Sequence, residues 1–146
     1  MIEIENFLSE DICDYCVNYF RRKKKESILY KKRWAIDLKE ETKDPIILKL
    51  VNKYSKIYPN YLVENMQLIF WPIGESHDWH DDTIYYHKTT ITYLNKDYEG
   101  GRTTVKNYTI EPQIGKIVLF DSTITHKVSE LVKGERYVIM CWYKNG

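Results

Sequence analysis

The sequence predicts a mainly β protein, a sandwich or barrel against which two N-terminal α-helices pack. From Val63 onward the chain is a series of short runs rich in β-branched and aromatic residues, separated by turn segments such as KDYEGG and EPQIG. Many short strands in one domain are typical of a sandwich or barrel. A chain of 146 residues fits one domain. We expect that domain to span 1–146, with a helical buttress at about 1–62 and a barrel core at about 63–144.

The N-terminal part contains two segments with helix-capping residues. Ser9 is the expected N-cap of the first helix, and the two acidic residues after it favour a helix N-terminus. The second helix is expected to begin at Asp44, an N-cap followed by proline at the first helical position, and to end before the turn at Pro59. Short strands are expected at Ile2–Ile4 and at about Trp34–Leu38.

The C-terminal strands are expected to follow the apolar runs of the sequence. They lie in the segments VENMQLIFW, TIYYHKTTITYLN, RTTVKNYTI, KIVLFD, HKVSELV and ERYVIMCWYK. Successive side chains of a strand point to opposite faces. In the last segment, one face therefore carries Arg136, Val138, Met140 and Trp142.

Composition and charge narrow the function classes. The formal net charge is +1, so the protein has no strong overall electrostatic field that would attract a nucleic acid or a membrane surface. No apolar run approaches the ~18 residues that span a bilayer. The N-terminus does not read as a signal peptide, and we expect a cytoplasmic protein. The basic run Arg21–Lys25, continued by Lys31–Arg33, is expected to form a solvated face.

The three cysteines do not make a disulfide framework. Cys13 and Cys16 form a CxxC motif, but no second pair follows at the spacing of a zinc ribbon. Both fall on the apolar face of the first predicted helix. We therefore expect them to be buried side chains of the core.

The stretch HDWHDD at residues 77–82 holds two of the four histidines among three aspartates. Side chains at i and i+2 of a strand project to one face, so His80 and Asp82 are expected to form a pair. A histidine from a distant strand would complete a two-histidine, one-carboxylate group, which holds Fe(II) and leaves positions open. His126 is the expected third ligand. His77 is too close in sequence, and His87 is expected to point to the opposite face of its strand.

The position of Arg136 on the predicted inner face indicates that an anionic ligand binds beside such a metal. An arginine on the apolar inner face of a barrel strand is costly unless an anion meets it. A dicarboxylate that chelates the metal at one end and contacts the guanidinium at the other removes that cost. Arginine suits this role because it binds carboxylates with two parallel hydrogen bonds.

Together these residues resemble the iron(II)/2-oxoglutarate-dependent dioxygenases, specifically their prolyl 4-hydroxylase-like branch. The matching features are H-x-D, a distal histidine, an arginine ten residues further on, the segment ITYLNKDYEGG and the ending HKVSELVKGERYVIMCWY. The similarity extends over about Gln67–Tyr143, roughly half of the sequence.

The resemblance implies a double-stranded β-helix, which is a jelly roll of the cupin type. It implies Fe(II), 2-oxoglutarate and O2 as cofactors, with ascorbate as an optional reductant. The expected reaction is hydroxylation of a C–H bond with release of succinate and CO2. Prolyl residues of a peptide or protein are the first expected substrate, a small molecule is the second, and neither a membrane nor a nucleic acid is expected as partner.

The resemblance also implies a role for each matching residue. The metal ligands would be His80, Asp82 and His126. The distal carboxylate of 2-oxoglutarate would be bound by Arg136 and by the hydroxyl of Tyr93. The same pocket would be lined by Thr89 and, at its edge, by Trp142. Trp71 stands near the position where relatives carry a tyrosine that contacts the cosubstrate.

Several alternatives stay open at the level of the sequence. The same iron centre could act on a nucleic acid, but the repair-type relatives carry a second arginine at the position of Trp142. A non-oxidative cupin-like metal-binding protein would not need Arg136. A barrel without metal would make HDWHDD a polar loop. Asp121 is either a turn residue or a hydrogen-bond partner of a ligand histidine.

Overall fold

The computed structural model describes residues 1–146 as two α-helices and thirteen β-strands. The helices are α1 (Glu10–Lys23) and α2 (Pro45–Ser55). The strands are β1 (Ile2–Ile4), β2 (Ile28–Tyr30), β3 (Arg33–Asp37), β4 (Tyr61–Trp71), β5 (His77–His80), β6 (Lys88–Tyr93), β7 (Glu99–Gly100), β8 (Thr103–Val105), β9 (Tyr108–Thr109), β10 (Ile117–Asp121), β11 (His126–Val128), β12 (Leu131–Lys133) and β13 (Arg136–Asn145).

The strands form two antiparallel sheets and a short ribbon. The large sheet has the order β1-β10-β6-β13-β4-β3-β2, and the small sheet has the order β5-β11-β8-β9. The ribbon consists of β7 and β12. Strands that neighbour in space are mostly distant in sequence, as in the double-stranded β-helix. The predicted mainly β fold with two helices is confirmed.

Both helices begin at the predicted caps. The Ser9 hydroxyl accepts a hydrogen bond from the amide of Ile12 at 3.3 Å. The Asp44 carboxylate accepts from the amides of Ile46 and Ile47 at 2.9 and 3.0 Å, with proline at the first position of the helix. These bonds satisfy amides that have no partner inside the helix. Neither helix has the length and apolar character needed to cross a membrane.

The helices cover one face of the large sheet, and the alternation of β13 explains how. Tyr137, Ile139 and Cys141 belong to a cluster of 20 buried residues that also contains apolar residues of both helices. Val138 belongs to a second cluster of 11 buried residues on the other face. The face predicted for Arg136 and its neighbours is therefore the face turned away from the helices.

Cys13 and Cys16 are buried in the helix-side cluster, as predicted. Burial raises the pKa of Cys13 to about 11 and that of Cys16 to about 12. Cys141, on β13, is also a free buried cysteine. The CxxC motif therefore contributes to the apolar core and lies apart from the metal-ligand candidates.

Three of the predicted strand segments form shorter strands, one of them RTTVKNYTI, which divides into β8 and β9. The strand in TIYYHKTTITYLN begins only at Lys88, because the amides of Tyr85 and Tyr86 donate to the carbonyl of Asp82 and form a turn. The run HKVSELV divides into β11 and β12, which belong to different sheets. Between them the amide of Ser129 donates to the carbonyl of Arg102, and the amide of Gly101 donates to the carbonyl of Glu130. The same two chain segments therefore stay in contact from the small sheet into the ribbon.

Candidate functional site

A cavity of about 510 Å³ is lined by side chains of both sheets. Apolar residues make up 12 of its 22 lining residues, and a smaller number of polar and charged groups converge on it. An apolar pocket with a few convergent polar groups is the usual form of a ligand site. The predicted residues His80, Asp82, His126, Arg136 and Trp142 all line this cavity.

The structure brings His80, Asp82 and His126 together. Ligand atoms of the three lie within 4.8 Å of one another. His80 Nε2 is 3.9 Å from Asp82 Oδ1, and His126 Nε2 is 3.5 Å from Asp82 Oδ2. The two histidines meet because β11 pairs with β5, with His126 directly opposite His80. No other set of three histidine, cysteine, aspartate or glutamate residues in the protein meets this geometry.

Asp82 reaches the group by a route that strand alternation does not describe. Strand β5 ends at His80, so Asp82 is not on the same strand. Its amide instead donates to the carbonyl of Ser122 at 2.9 Å, which holds the residue after the strand has ended. The prediction that His87 shares a strand with Asp82 is wrong for the same reason, since a turn separates them and His87 is exposed.

Both histidines are oriented by backbone carbonyls. His80 Nδ1 donates to the carbonyl of Asp78 at 2.7 Å, and His126 Nδ1 donates to the carbonyl of Ile124 at 3.1 Å. Such bonds fix the ring and the tautomer, so Nε2 carries the free lone pair. Burial lowers the pKa of His126, which favours its neutral form. Asp121 does not orient a histidine and pairs with Lys88.

Asp82 is held through one of its two oxygens. Oδ2 accepts from the hydroxyl of Thr89 at 3.0 Å and from the indole nitrogen of Trp142 at 3.3 Å. Oδ1 receives no hydrogen bond and is the oxygen free to bind a cation. Thr89 is fully buried behind Asp82 and does not itself line the cavity, whereas Trp142 does.

Arg136 lies fully buried beside the cavity with unused donors. Its Nη2 donates to the hydroxyl of Thr103 at 2.9 Å, but Nε and Nη1 have no partner. Its guanidinium lies 4.7 Å from the Trp71 ring and 5.9 Å from the Tyr93 ring. The hydroxyls of Tyr93 and Tyr98 and the indole nitrogen of Trp71 are also buried without partners.

These orphaned donors fit an anionic ligand. Burial raises the pKa of Tyr93 and raises that of Tyr98 to about 12, so both hydroxyls keep their protons. Buried donors without partners are rare and costly in proteins, and a carboxylate would satisfy several at once. The residues present therefore fit a dicarboxylate whose far end meets Arg136. Thr103 and Tyr98 were not predicted, because neither stands out in the sequence.

Arg33 was predicted to belong to a solvated basic face, and this is wrong. It is 8% exposed and lines the cavity. Its Nε lies 3.2 Å from Glu75 Oε2, and Glu75 is also buried. Arg33, Ala35 and Asp37 alternate along β3 and all line the cavity. The alternation argument used for Arg136 could therefore have found Arg33. The run Arg21–Lys25 is largely exposed, as predicted.

His77 lies at the cavity but outside the metal-ligand group. Its ring stacks on the ring of His80 with a centroid distance of 3.5 Å, and its Nδ1 is 3.2 Å from Arg33 Nη1. Burial, with the nearby His80 and Arg33, lowers its pKa to about 3. A neutral His77 accepts a hydrogen bond from Arg33 through Nδ1.

Comparison with solved structures finds the same fold. The Pseudomonas putida prolyl-4-hydroxylase has a TM-score of 0.72 and 17% identity, over 99% of this chain and 92% of that protein. The viral collagen prolyl hydroxylase from Paramecium Bursaria Chlorella virus-1 has a TM-score of 0.67 and 18% identity, over 99% and 95%. A prolyl 4-hydroxylase from Phytophthora capsici has a TM-score of 0.74 and 18% identity, over 99% and 58%.

At such low identity these likenesses show a common fold. A search of curated proteins found none that matches this sequence. The model of the 2OG-Fe(II) oxygenase superfamily matches residues 66–144, which is more than half of the sequence and contains every predicted site residue. Members of this family use Fe(II), 2-oxoglutarate and O2, and the His80, Asp82 and His126 group suits the iron. The chain belongs to the 2OG-Fe(II) oxygenase superfamily.

Proposed function

We propose that this oxygenase hydroxylates a C–H bond of prolyl residues in a peptide or protein. One observation carries the chemistry of the proposal. Two histidines and a carboxylate converge in the same cavity as a fully buried arginine that has two unpartnered nitrogens. This pairing suits a metal that binds one end of a dicarboxylate while the arginine binds the other.

His80, Asp82 and His126 hold Fe(II) in this proposal. Nε2 is the ligating atom of each histidine, because each Nδ1 is engaged with a backbone carbonyl. Asp82 binds through Oδ1, because Thr89 and Trp142 both donate to Oδ2. Three protein ligands on one side leave the other positions for small ligands.

Arg136 binds the distal carboxylate of 2-oxoglutarate. Its free Nε and Nη1 are donors for the two carboxylate oxygens, and Nη2 remains on Thr103. Tyr93 supplies a further hydroxyl donor. The guanidinium has no anionic partner inside the protein. The negative charge of the cosubstrate carboxylate therefore compensates the buried positive charge of Arg136.

Bound iron, with 2-oxoglutarate and O2, would supply the oxidation of an unactivated C–H bond, with succinate and CO2 as coproducts. The protein contributes orientation and exclusion of water. Thr89 and Trp142 keep Asp82 in one rotamer. Apolar side chains, among them Ile91 and Phe120, line the cavity and keep its dielectric low.

The prolyl substrate is supported by the structural neighbours and by one feature of the cavity. Three neighbours are prolyl hydroxylases by name. Tyr86 and Trp142 stack with a centroid distance of 5.3 Å and an interplanar angle of 22°, and both line the cavity. A flat aromatic wall suits a compact apolar ring. The net charge of +1 does not favour a nucleic acid. Three buried free cysteines suit the reducing cytoplasm.

The proposal is tested by an anaerobic titration followed by turnover. Fe(II) and then 2-oxoglutarate are added to the purified protein, and a weak visible metal-to-ligand charge-transfer band is expected. Proline-containing peptides are then supplied with O2, and succinate and hydroxyproline are measured. A band without any peptide-dependent succinate would contradict the prolyl substrate. Absence of the band would contradict the metal and cosubstrate roles.

A further inference from the structure

Arg33 is a second buried arginine at the cavity, and the roles proposed above do not use it. It is 8% exposed, and its Nη2 has no hydrogen-bond partner. Strand alternation turns it to the cavity together with Ala35 and Asp37. A buried donor without a partner in the unliganded protein indicates an acceptor that arrives with a ligand.

The guanidinium of Arg33 is held in a fixed orientation. Nε lies 3.2 Å from Glu75, whose carboxylate also accepts from the amides of Lys32 and Ser76 at 3.3 and 3.0 Å. The guanidinium carbon lies 4.7 Å from the Trp71 ring and 5.2 Å from the Tyr30 ring. Such contacts fix both the position and the plane of the fork before any ligand binds.

The charge of Arg33 is already balanced. Glu75 is 6% exposed and supplies one negative charge at 3.2 Å. A further carboxylate at Nη2 would be a buried anion without its own counter-charge, which costs free energy. Nε contacts Glu75 as an ion pair without a hydrogen bond, and Nη2 has neither kind of partner. A carbonyl oxygen at Nη2 supplies an acceptor and adds no charge. Arg136 differs, because no acidic side chain pairs with it.

Arg33 is also close to the proposed iron ligands. Its Nη1 contacts His77 Nδ1 at 3.2 Å, and the His77 ring stacks on His80 at 3.5 Å. A ligand atom at Nη2 is therefore separated from His80 by a single side chain, that of His77. In a polypeptide substrate, the polar groups closest to the oxidised C–H bond are the neighbouring backbone amides.

We infer that Arg33 determines substrate specificity by donating a hydrogen bond from Nη2 to an uncharged amide carbonyl of the substrate. The enzyme then selects an amide-bonded polypeptide over a free amino acid, whose carboxylate would meet the balanced Arg33–Glu75 pair. This inference rests on the proposed function, and it adds the group that is recognised and the residue that recognises it.

The test compares equilibrium binding to the anaerobic complex with Fe(II) and 2-oxoglutarate, in which no turnover occurs. The ligands are an N-acetylated, C-amidated proline tripeptide and free proline, measured by isothermal titration calorimetry. The variant is the double substitution Arg33→Met/Glu75→Gln, which removes both charges together. The matched control is Arg102→Met/Glu111→Gln, an exposed pair with a 2.8 Å contact.

The wild type is expected to bind the blocked tripeptide more tightly than proline. The double variant is expected to weaken tripeptide binding roughly 10- to 100-fold, as for loss of a hydrogen bond to a charged group. Its charge-transfer band and its affinity for 2-oxoglutarate are expected to stay unchanged, and so is tripeptide binding to the control. If the double variant does not fold, Arg33→Lys keeps the charge beside Glu75 but lacks the planar fork, and the same loss is expected.

Each other outcome overturns the inference. Equal tripeptide affinity in wild type and variant removes Arg33 from substrate binding, while peptide hydroxylation by the wild type would leave the proposed function intact. A loss of 2-oxoglutarate affinity would assign Arg33 to the cosubstrate. Tighter binding of proline than of the tripeptide would contradict the carbonyl acceptor. A wild type that forms the charge-transfer band but binds no tripeptide overturns both the inference and the prolyl substrate.

Discussion

Replacing Arg136 by methionine is expected to change cosubstrate binding and stability in opposite directions. The guanidinium is fully buried, and two of its three nitrogens have no partner in the unliganded protein. The same two nitrogens are the proposed donors to 2-oxoglutarate. Methionine keeps much of the side-chain volume and is flexible enough to fill the space. The substitution therefore removes both a cost in the unliganded protein and a benefit in the complex.

The expected magnitudes follow from the contacts of Arg136. An unpartnered buried donor costs about 1–3 kcal/mol, and two are present. Their removal is opposed by loss of the charge-assisted bond to Thr103, worth about 1.5–3 kcal/mol, and of the contact with Trp71, worth about 0.5–2 kcal/mol. We expect the unliganded variant to gain on the order of 1 kcal/mol. At this protein size the unfolding temperature then rises by about 2–4 °C.

The complex is expected to lose far more. Truncating one partner of a desolvated, hydrogen-bonded charge pair costs about 2–5 kcal/mol, which raises the dissociation constant of 2-oxoglutarate by roughly 30-fold or more. Thermal unfolding with and without 2-oxoglutarate measures both effects, and Arg102→Met is the exposed control. Wild-type affinity in the variant would refute the role of Arg136. An unliganded variant less stable by several kcal/mol would show that the guanidinium is already satisfied without a ligand.

Three further outcomes are expected. His126→Ala is expected to lose stoichiometric Fe(II) by metal analysis with an unchanged circular dichroism spectrum, and retained iron would contradict its role as ligand. Thr89→Val is expected to weaken Fe(II) binding about 10-fold, because it removes one of the two donors that hold Asp82 Oδ2. Thr90→Val, on the opposite face of β6, is expected to bind Fe(II) like the wild type. Burial raises the pKa of each of the three cysteines to about 11 or 12, so they stay protonated at pH 8 and are expected to resist a thiol reagent until the protein is unfolded. Rapid labelling of the native protein would contradict this.

Much of the fold could be predicted from local patterns, because those patterns have direct physical causes. The caps at Ser9 and Asp44 satisfy free amides, and the structure forms both. The face of the sheet on which Arg136 lies could be predicted, because successive side chains along β13 point to opposite faces. These features depend on neighbours in sequence, and the local sequence therefore carries the information.

The rest depended on contacts that are distant in sequence. Asp82 is held by hydrogen bonds with Ser122 and Thr89, which come from other parts of the fold. The spacing of residues within HDWHDD carries no information about these two contacts. Arg33 was predicted to be exposed because two lysines precede it in the sequence. In the structure it is buried in contact with Glu75 and Trp71. Local composition predicts exposure poorly when a distant partner compensates a charge.

The two faces of the large sheet divide stability from ligand binding. On the helix side, buried polar groups find partners within the protein, as the Tyr54 hydroxyl does with Thr92 and the Tyr143 hydroxyl with the Tyr54 carbonyl. Every buried side-chain donor without a partner lies on the other side, at or beside the cavity: Arg33, Trp71, Tyr93, Tyr98 and Arg136. Such donors lower the stability of the unliganded protein, and the 20-residue helix-side cluster offsets that cost. Ligands that satisfy these donors are therefore expected to stabilise the folded state.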